Sequence, residues 1–190
     1  MKVAYELGSI FEVPLRSGGV GLAAVTRWQT RPRRGNKIVH MVGFDPDALT
    51  ARNTPEQASI LDTRHFLLCS DRALVEGRWK LIGTIHAFNP TNWPVAPAVR
   101  GQDRMVVTTN EETLEDENID ATAYILPEER RFFPYFSGLG DATFLEISLS
   151  KALCDRDPKY YLKVTSENVD LWRRVLRALT NKGIVTRAFF

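Results

Sequence analysis

The densest run of a single charge lies in residues 111–120, where Glu111, Glu112, Glu115, Asp116, Glu117 and Asp120 follow one another with no basic residue between them. Carboxylates this close repel one another, so such a segment either stands in water or meets a basic partner. They are also too many and too clustered for a general acid and base to be singled out among them. Positive charge gathers elsewhere: residues 27–37 hold Arg27, Arg31, Arg33, Arg34 and Lys37 without an acid, so two opposite electrostatic faces are expected. Arginines on a loop can grip phosphates by bidentate contacts. The whole chain, however, carries a formal charge of only +2, short of the basic footprint of most nucleic-acid binders, and a solvated or partner-facing connection is the stronger reading. Trp93, in a stretch rich in proline, is of a residue type enriched at binding hot spots. It is read either as an exposed apolar anchor or as a plug at one end of a sheet.

Other chemistries find less support. His40, His65 and His86 share no metal-like spacing with Cys69 or Cys154. His65 and Cys69 on one strand face would supply two ligands, which do not make a tetrahedral site. The cysteines lie far apart and form no CxxC pair, which suits free thiols in a reducing compartment. Gly18, Gly19 and Gly21 form a GGxG cluster, but no GK[ST] follows and the next segment reads as a strand, so a hairpin turn explains them better than a phosphate loop. No GxSxG elbow occurs. The chain is therefore read as a binding protein, with no catalytic residue, no metal and no cofactor assigned.

The elements that must position these residues follow from pattern and turn chemistry. Strands are predicted over SIFEVPL (9–15), GLAAVTRW (21–28), KIVHMVGF (37–44), HFLLCS (65–70), RMVVTT (104–109), ATAYIL (121–126), TFLEISL (143–149) and IVTRAFF (184–190). ALVEGRWKLIGTI (73–85) reads as two strands turning at Glu76-Gly77, and the acidic segment as a loop interrupting the strands. Thr54 as N-cap with Pro55 behind it predicts a short helix, and residues 86–101 an extended loop without regular structure. In SENVDLWRRVLRALTNKG, with Ser166 as N-cap, the residues Val169, Trp172, Val175, Leu176 and Leu179 recur at helical spacing, and Gly183 supplies the stop. The fold class expected is α+β, with a mostly antiparallel, twisted or barrel-like sheet, a short middle helix and an amphipathic C-terminal helix covering a sheet face. A length of 190 residues fits a single domain, 1–190. No apolar run reaches the roughly 20 residues of a membrane span, and Glu6 precedes any run of signal-peptide length, so a cytoplasmic location is expected.

GSIFEVPLRSGGVGLAAVTR, residues 8–27, places Gly, Phe and Pro-Leu before a glycine-bearing turn and a strand of small residues. This resembles the opening of the immunity protein 26 family of bacterial polymorphic toxin systems. ALVEGRWKLIGTIHAFNPTNWP, residues 73–94, is similar to that family's later pattern of a strand, a Gly-Trp hairpin and a proline-containing loop. The resemblance spans about the first half of the chain and leaves out the acidic segment and the C-terminal helix. It implies a non-catalytic protein that binds and neutralises a cognate toxin domain in contact-dependent growth inhibition. Many such toxins are nucleases with basic substrate grooves, which an acidic segment could occupy by charge complementarity. On that expectation Glu111, Glu112, Glu115, Asp116, Glu117, Asp120 and Trp93 form the partner-binding face, while Gly8, Phe11 and Pro14 are structural. A regulatory module that takes nucleic acid or a small ligand through the basic loop and the aromatic loop is the alternative, and an enzyme the third.

Overall fold

The computed structural model describes residues 3–31, 36–45, 55–110, 112–136 and 138–186. Strand β1 (Ser9–Pro14) turns into β2 (Val20–Trp28) through Gly18 and Gly19, both at positive φ (89° and 81°), where a side chain would be strained. β3 (Ile38–Phe44) and β4 (Thr63–Ser70) continue the antiparallel run. β5 (Lys80–Thr84) returns to the free side of β1, and β9 (Leu139–Gly140) adds in parallel to β4. The result is a six-stranded sheet in the order β5-β1-β2-β3-β4-β9. Its edge strands do not meet, so the sheet is open rather than barrel-like. A second antiparallel sheet, of three strands, is built from β6 (Ala98–Arg100), β7 (Arg104–Asn110) and β8 (Glu115–Asp120).

Both faces of the larger sheet are covered, which is why its strands read as nearly continuous apolar runs. One face packs Phe11, Val25, Met41 and Leu67 against helix α2 (Ala142–Leu153) and the one-turn helix α1 (Arg72–Val75). The other packs Ile10, Val42, Phe44 and Phe66 against the second sheet and helix α3 (Ser166–Asn181). The stripe Val169, Trp172, Val175, Leu176 and Leu179 is buried as its spacing predicts. The helix is capped by Thr165, one residue before the expected Ser166, and Gly183 follows it at φ 71°. Gly8 has φ 88°, and a Cβ there would lie 2.8 Å from Phe88 Cβ. Phe11 is fully buried, with Tyr5 edge-on at 6.3 Å. Phe11→Ala is expected to lower unfolding free energy by about 3–5 kcal/mol; an unchanged urea midpoint would refute its place in the core.

Several segments fold differently from their composition. TFLEISL is helical: Asp141 caps α2 through Phe144 N (3.0 Å), and Leu145, Ser148, Leu149 and Ala152 face inward at helical spacing. Leu149 packs over Gly21 and Gly43, where an added Cβ would collide with it, so the sheet receives this helix closely. In place of a strand, residues 72–75 make α1, which buries Ala73 and Leu74; β5 pairs with β1 instead of with it. The acidic segment contains strand β8. ATAYIL opens with the 3-10 turn Ala121–Ala123, and residues 98–100 of the long loop form β6. The middle helix is two 3-10 turns, Pro55–Gln57 and Ile60–Asp62, and the predicted cap Thr54 lies outside the described residues. Residues 184–186 carry no strand, and the rest of IVTRAFF lies outside the described residues.

Candidate binding face

β8 is an edge strand. It pairs with β7 on one side, Met105 opposite the buried Ile119, and no strand among the described residues flanks its other side. Glu115, Asp116, Glu117 and Asn118 are exposed in succession, so both faces of this half of the strand meet solvent. The hairpin that delivers it is set by Asn110, whose Oδ1 accepts from Glu112 N (2.8 Å) and Thr113 N (3.2 Å). Gln29 anchors the hairpin tip, accepting from Ile38 N (3.1 Å) and donating to Thr113 O (2.5 Å).

The six acids expected to act together have different surroundings. Glu111 lies outside the described residues. Glu112 pairs with Arg31 Nε (3.2 Å), and its carbonyl accepts from Thr30 N (3.0 Å). The acidic and basic segments therefore touch at this point rather than forming fully separate faces. Both side chains of that pair are exposed, so it adds little stability. Asp120 accepts from Thr122 N (2.9 Å) and Thr122 Oγ1 (2.7 Å), which hold its carboxyl below the ordinary range; it caps the turn that follows. Asp116 is exposed as a residue, yet its carboxyl leans back onto Thr108 Oγ1 (3.0 Å) at the rim of a cleft lined by His40, Phe66 and Val106. Loss of water around that carboxyl pushes its pKa up to about 6, against the opposing Thr108 hydrogen bond. Glu115 and Glu117 complete the outward-facing set.

Trp93 does not join them. It is 4% exposed, its ring stacks on Phe88 at 5.8 Å and meets Phe44 edge-on at 6.1 Å, and it lines a groove that contains no residue of β8. The plug is what the structure has, and an exposed anchor is not. Arg27 is likewise no part of a basic surface. It is buried, donating from Nη1 to Thr26 O (2.8 Å) and from Nη2 to Pro90 O (2.9 Å), and so ties β2 to the proline-rich loop. Arg33 and Arg34 lie outside the described residues.

The histidines divide by burial. His40, with Nδ1 2.6 Å from Thr26 Oγ1, is driven down to about 3 by burial and by Arg27. His65 is driven down to about 4 by burial; its Nδ1 donates to Tyr160 O (3.0 Å), which leaves Nε2 to accept from Ser148 Oγ (3.0 Å). His86 is exposed. Among the described residues no group of three or more His, Cys, Asp or Glu is placed to hold a metal ion, and no helix is long and apolar enough to cross a membrane. Cys69 and Cys154 are free thiols, one buried and one exposed. Two features escape the sequence reading, the Asp116–Thr108 pair and a basic groove that joins the aromatic residues near 133 to those near 160. Each depends on strand register or on contacts between segments distant in the chain. Comparison with protein-family models, with curated proteins and with solved structures gives no match for this chain.

Proposed function

We propose that this chain is a non-catalytic immunity-type protein that binds a basic face of a toxin domain and neutralises it, with the exposed acids of β8 as the contact. One observation carries the reading: Glu115, Asp116 and Glu117 stand exposed in succession on an edge strand. An extended edge held by its neighbour on one side presents its carboxylates in a row to a partner, and this suits a basic groove. The resemblance of residues 8–27 and 73–94 to immunity protein 26 supplies the toxin as partner. Glu112 and Asp120 serve mainly the hairpin and its turns, and Trp93 is withdrawn from the contact set.

The test is a charge reversal. Glu115→Lys, Asp116→Lys and Glu117→Lys together should slow association with a cognate toxin domain by about tenfold or more at low ionic strength. The difference should shrink as salt rises; the exposed Glu115 and Glu117 contribute little to stability, and circular dichroism checks that losing the Asp116–Thr108 bond leaves the variant folded. Association rates measured across a salt series decide the matter. A triple variant that binds and protects cells as the parent does would remove β8 from the interface.

A further inference from the structure

Residues 130–135 and 158–162 close a groove of about 540 Å³ against His65 and Phe66 of β4, a size suited to a small ligand. Its walls are aromatic: Phe133 is buried, while Tyr135, Tyr160 and Tyr161 stand partly open, Tyr135 most so at 37%. Its charged groups are all of one sign. Among the described residues Arg130, Arg131 and Lys159 line it and no aspartate or glutamate does. None of these three cations is ion-paired with a carboxylate among the described residues.

The cations are held in place by uncharged neighbours. Arg130 donates to the Gly101 carbonyl, and Arg131 lies 4.8 Å from the centroid of the Phe132 ring. Lys159 Nζ sits 5.0 Å from the Tyr135 ring centroid and 5.6 Å from that of Tyr160. A ring face attracts an ammonium without neutralising it and leaves its N–H donors open to an anion. The 158–162 segment is fixed from behind: His65 donates to Tyr160 O, and Tyr160 N and Tyr161 N both donate to Asp157 O (2.8 Å each). Lys151 lies over Tyr160 as well (5.3 Å) and Arg156 over Tyr161 (5.5 Å), so Tyr135, the most exposed of the rings, is the one left to receive a ligand. Fixed cations beside an exposed ring match an anion that carries a planar ring. An inorganic anion would make no use of the rings, and an uncharged aromatic would make no use of the cations.

We propose that this groove binds a nucleotide unit, its base stacked on the exposed ring of Tyr135 and its phosphate held by Lys159, Arg130 and Arg131. The unit belongs to a free nucleotide or to a single-stranded nucleic acid, and the site stands independently of the acidic strand, whose Asp116 lines a different cleft. The test titrates the full chain at low ionic strength, by calorimetry and by NMR, with adenosine monophosphate, a short oligothymidylate, adenosine and inorganic phosphate. Lys159→Glu and Tyr135→Ala, both at exposed side chains, serve as variants once circular dichroism has shown them folded. Binding of the monophosphate, weakened about tenfold or more by each variant, supports the site with a free nucleotide as ligand. Binding of the oligothymidylate alone, weakened to the same degree, supports it with a single strand as ligand. Adenosine or inorganic phosphate binding as tightly as the monophosphate overturns the proposal, as does affinity unchanged in both variants or no binding of either nucleotide probe.

Discussion

Trp172→Ala is expected to cost at least about 3–5 kcal/mol of unfolding free energy, the range for a large aromatic removed from a core. A chain with a stability of about 5–15 kcal/mol would lose a large share of it. Trp172 is fully buried in the middle of the apolar stripe of α3 and meets Phe66 of β4 edge-on at 5.4 Å. It therefore joins the helix directly to the larger sheet. Its Nε1 also donates to Phe132 O (2.8 Å), a carbonyl that accepts from Asn168 Nδ2 (3.0 Å) as well. Truncation thus leaves that carbonyl one partner, and most of the loss is packing. Trp172→Phe separates the two contributions, since it keeps much of the ring volume and gives up the hydrogen bond, worth about 1 kcal/mol. Urea denaturation of both variants checks this. An alanine variant within about 1 kcal/mol of the parent would mean that α3 contributes little to the core.

Acidification from pH 7 towards 4 is expected to destabilise the protein steeply, because His40 and His65 are folded in their neutral forms. Burial holds their folded pKa values at about 3 and about 4, below the ordinary 6.5 that each regains on unfolding. Between those limits the unfolded chain binds more protons than the folded one. The stability that the neutral imidazoles allow is present above about pH 6.5 and is lost as pH falls, at up to about 1.4 kcal/mol per pH unit for each histidine. Asp116 acts in the opposite sense. Its folded value of about 6 lies above the ordinary 3.8, so the folded state gains protons, and stability, as pH falls from about 6 towards 4. Two groups oppose one, and the net slope below pH 6 is a loss. His65→Gln can keep a donor to Tyr160 O and an acceptor for Ser148, and should flatten the slope; Asp116→Asn, which removes the opposing group, should steepen it. Denaturant titrations at several pH values test all three chains. A parent equally stable at pH 7 and pH 5 would mean that these imidazoles carry their protons in the folded state.

How much of this was legible in the sequence depended on the distance over which each feature is decided. Gly18 and Gly19 between two β-rich runs specify a hairpin within a few residues, and the stripe ending at Leu179 with Gly183 beyond it specifies a helix and its stop. TFLEISL shows the limit. Its apolar positions satisfy both the strand period and the helical one, and the choice fell to Asp141 as a cap and to the two sheet glycines under Leu149. ALV failed as a strand for a related reason, since β1 already had β5 as its second neighbour and Ala73 and Leu74 could be buried by a single helical turn.

The candidate site divides along the same line. The chain's own order determined that six carboxylates fall within residues 111–120, and like charges in that number have to reach solvent or a basic partner. Only the tertiary structure decided that the five described ones lie on and beside a paired edge strand, because β8 forms through a register that sets Ile119 against Met105 and Asp116 against Thr108. It likewise decided that Glu112 meets Arg31, that Arg27 is buried against Pro90, and that Trp93 is closed in by Phe44 and Phe88. Charge and periodicity are local properties that a sequence carries openly. Burial belongs to whatever covers a side chain, and here the covering residues come from other strands and loops whose positions exist only once the sheets have formed.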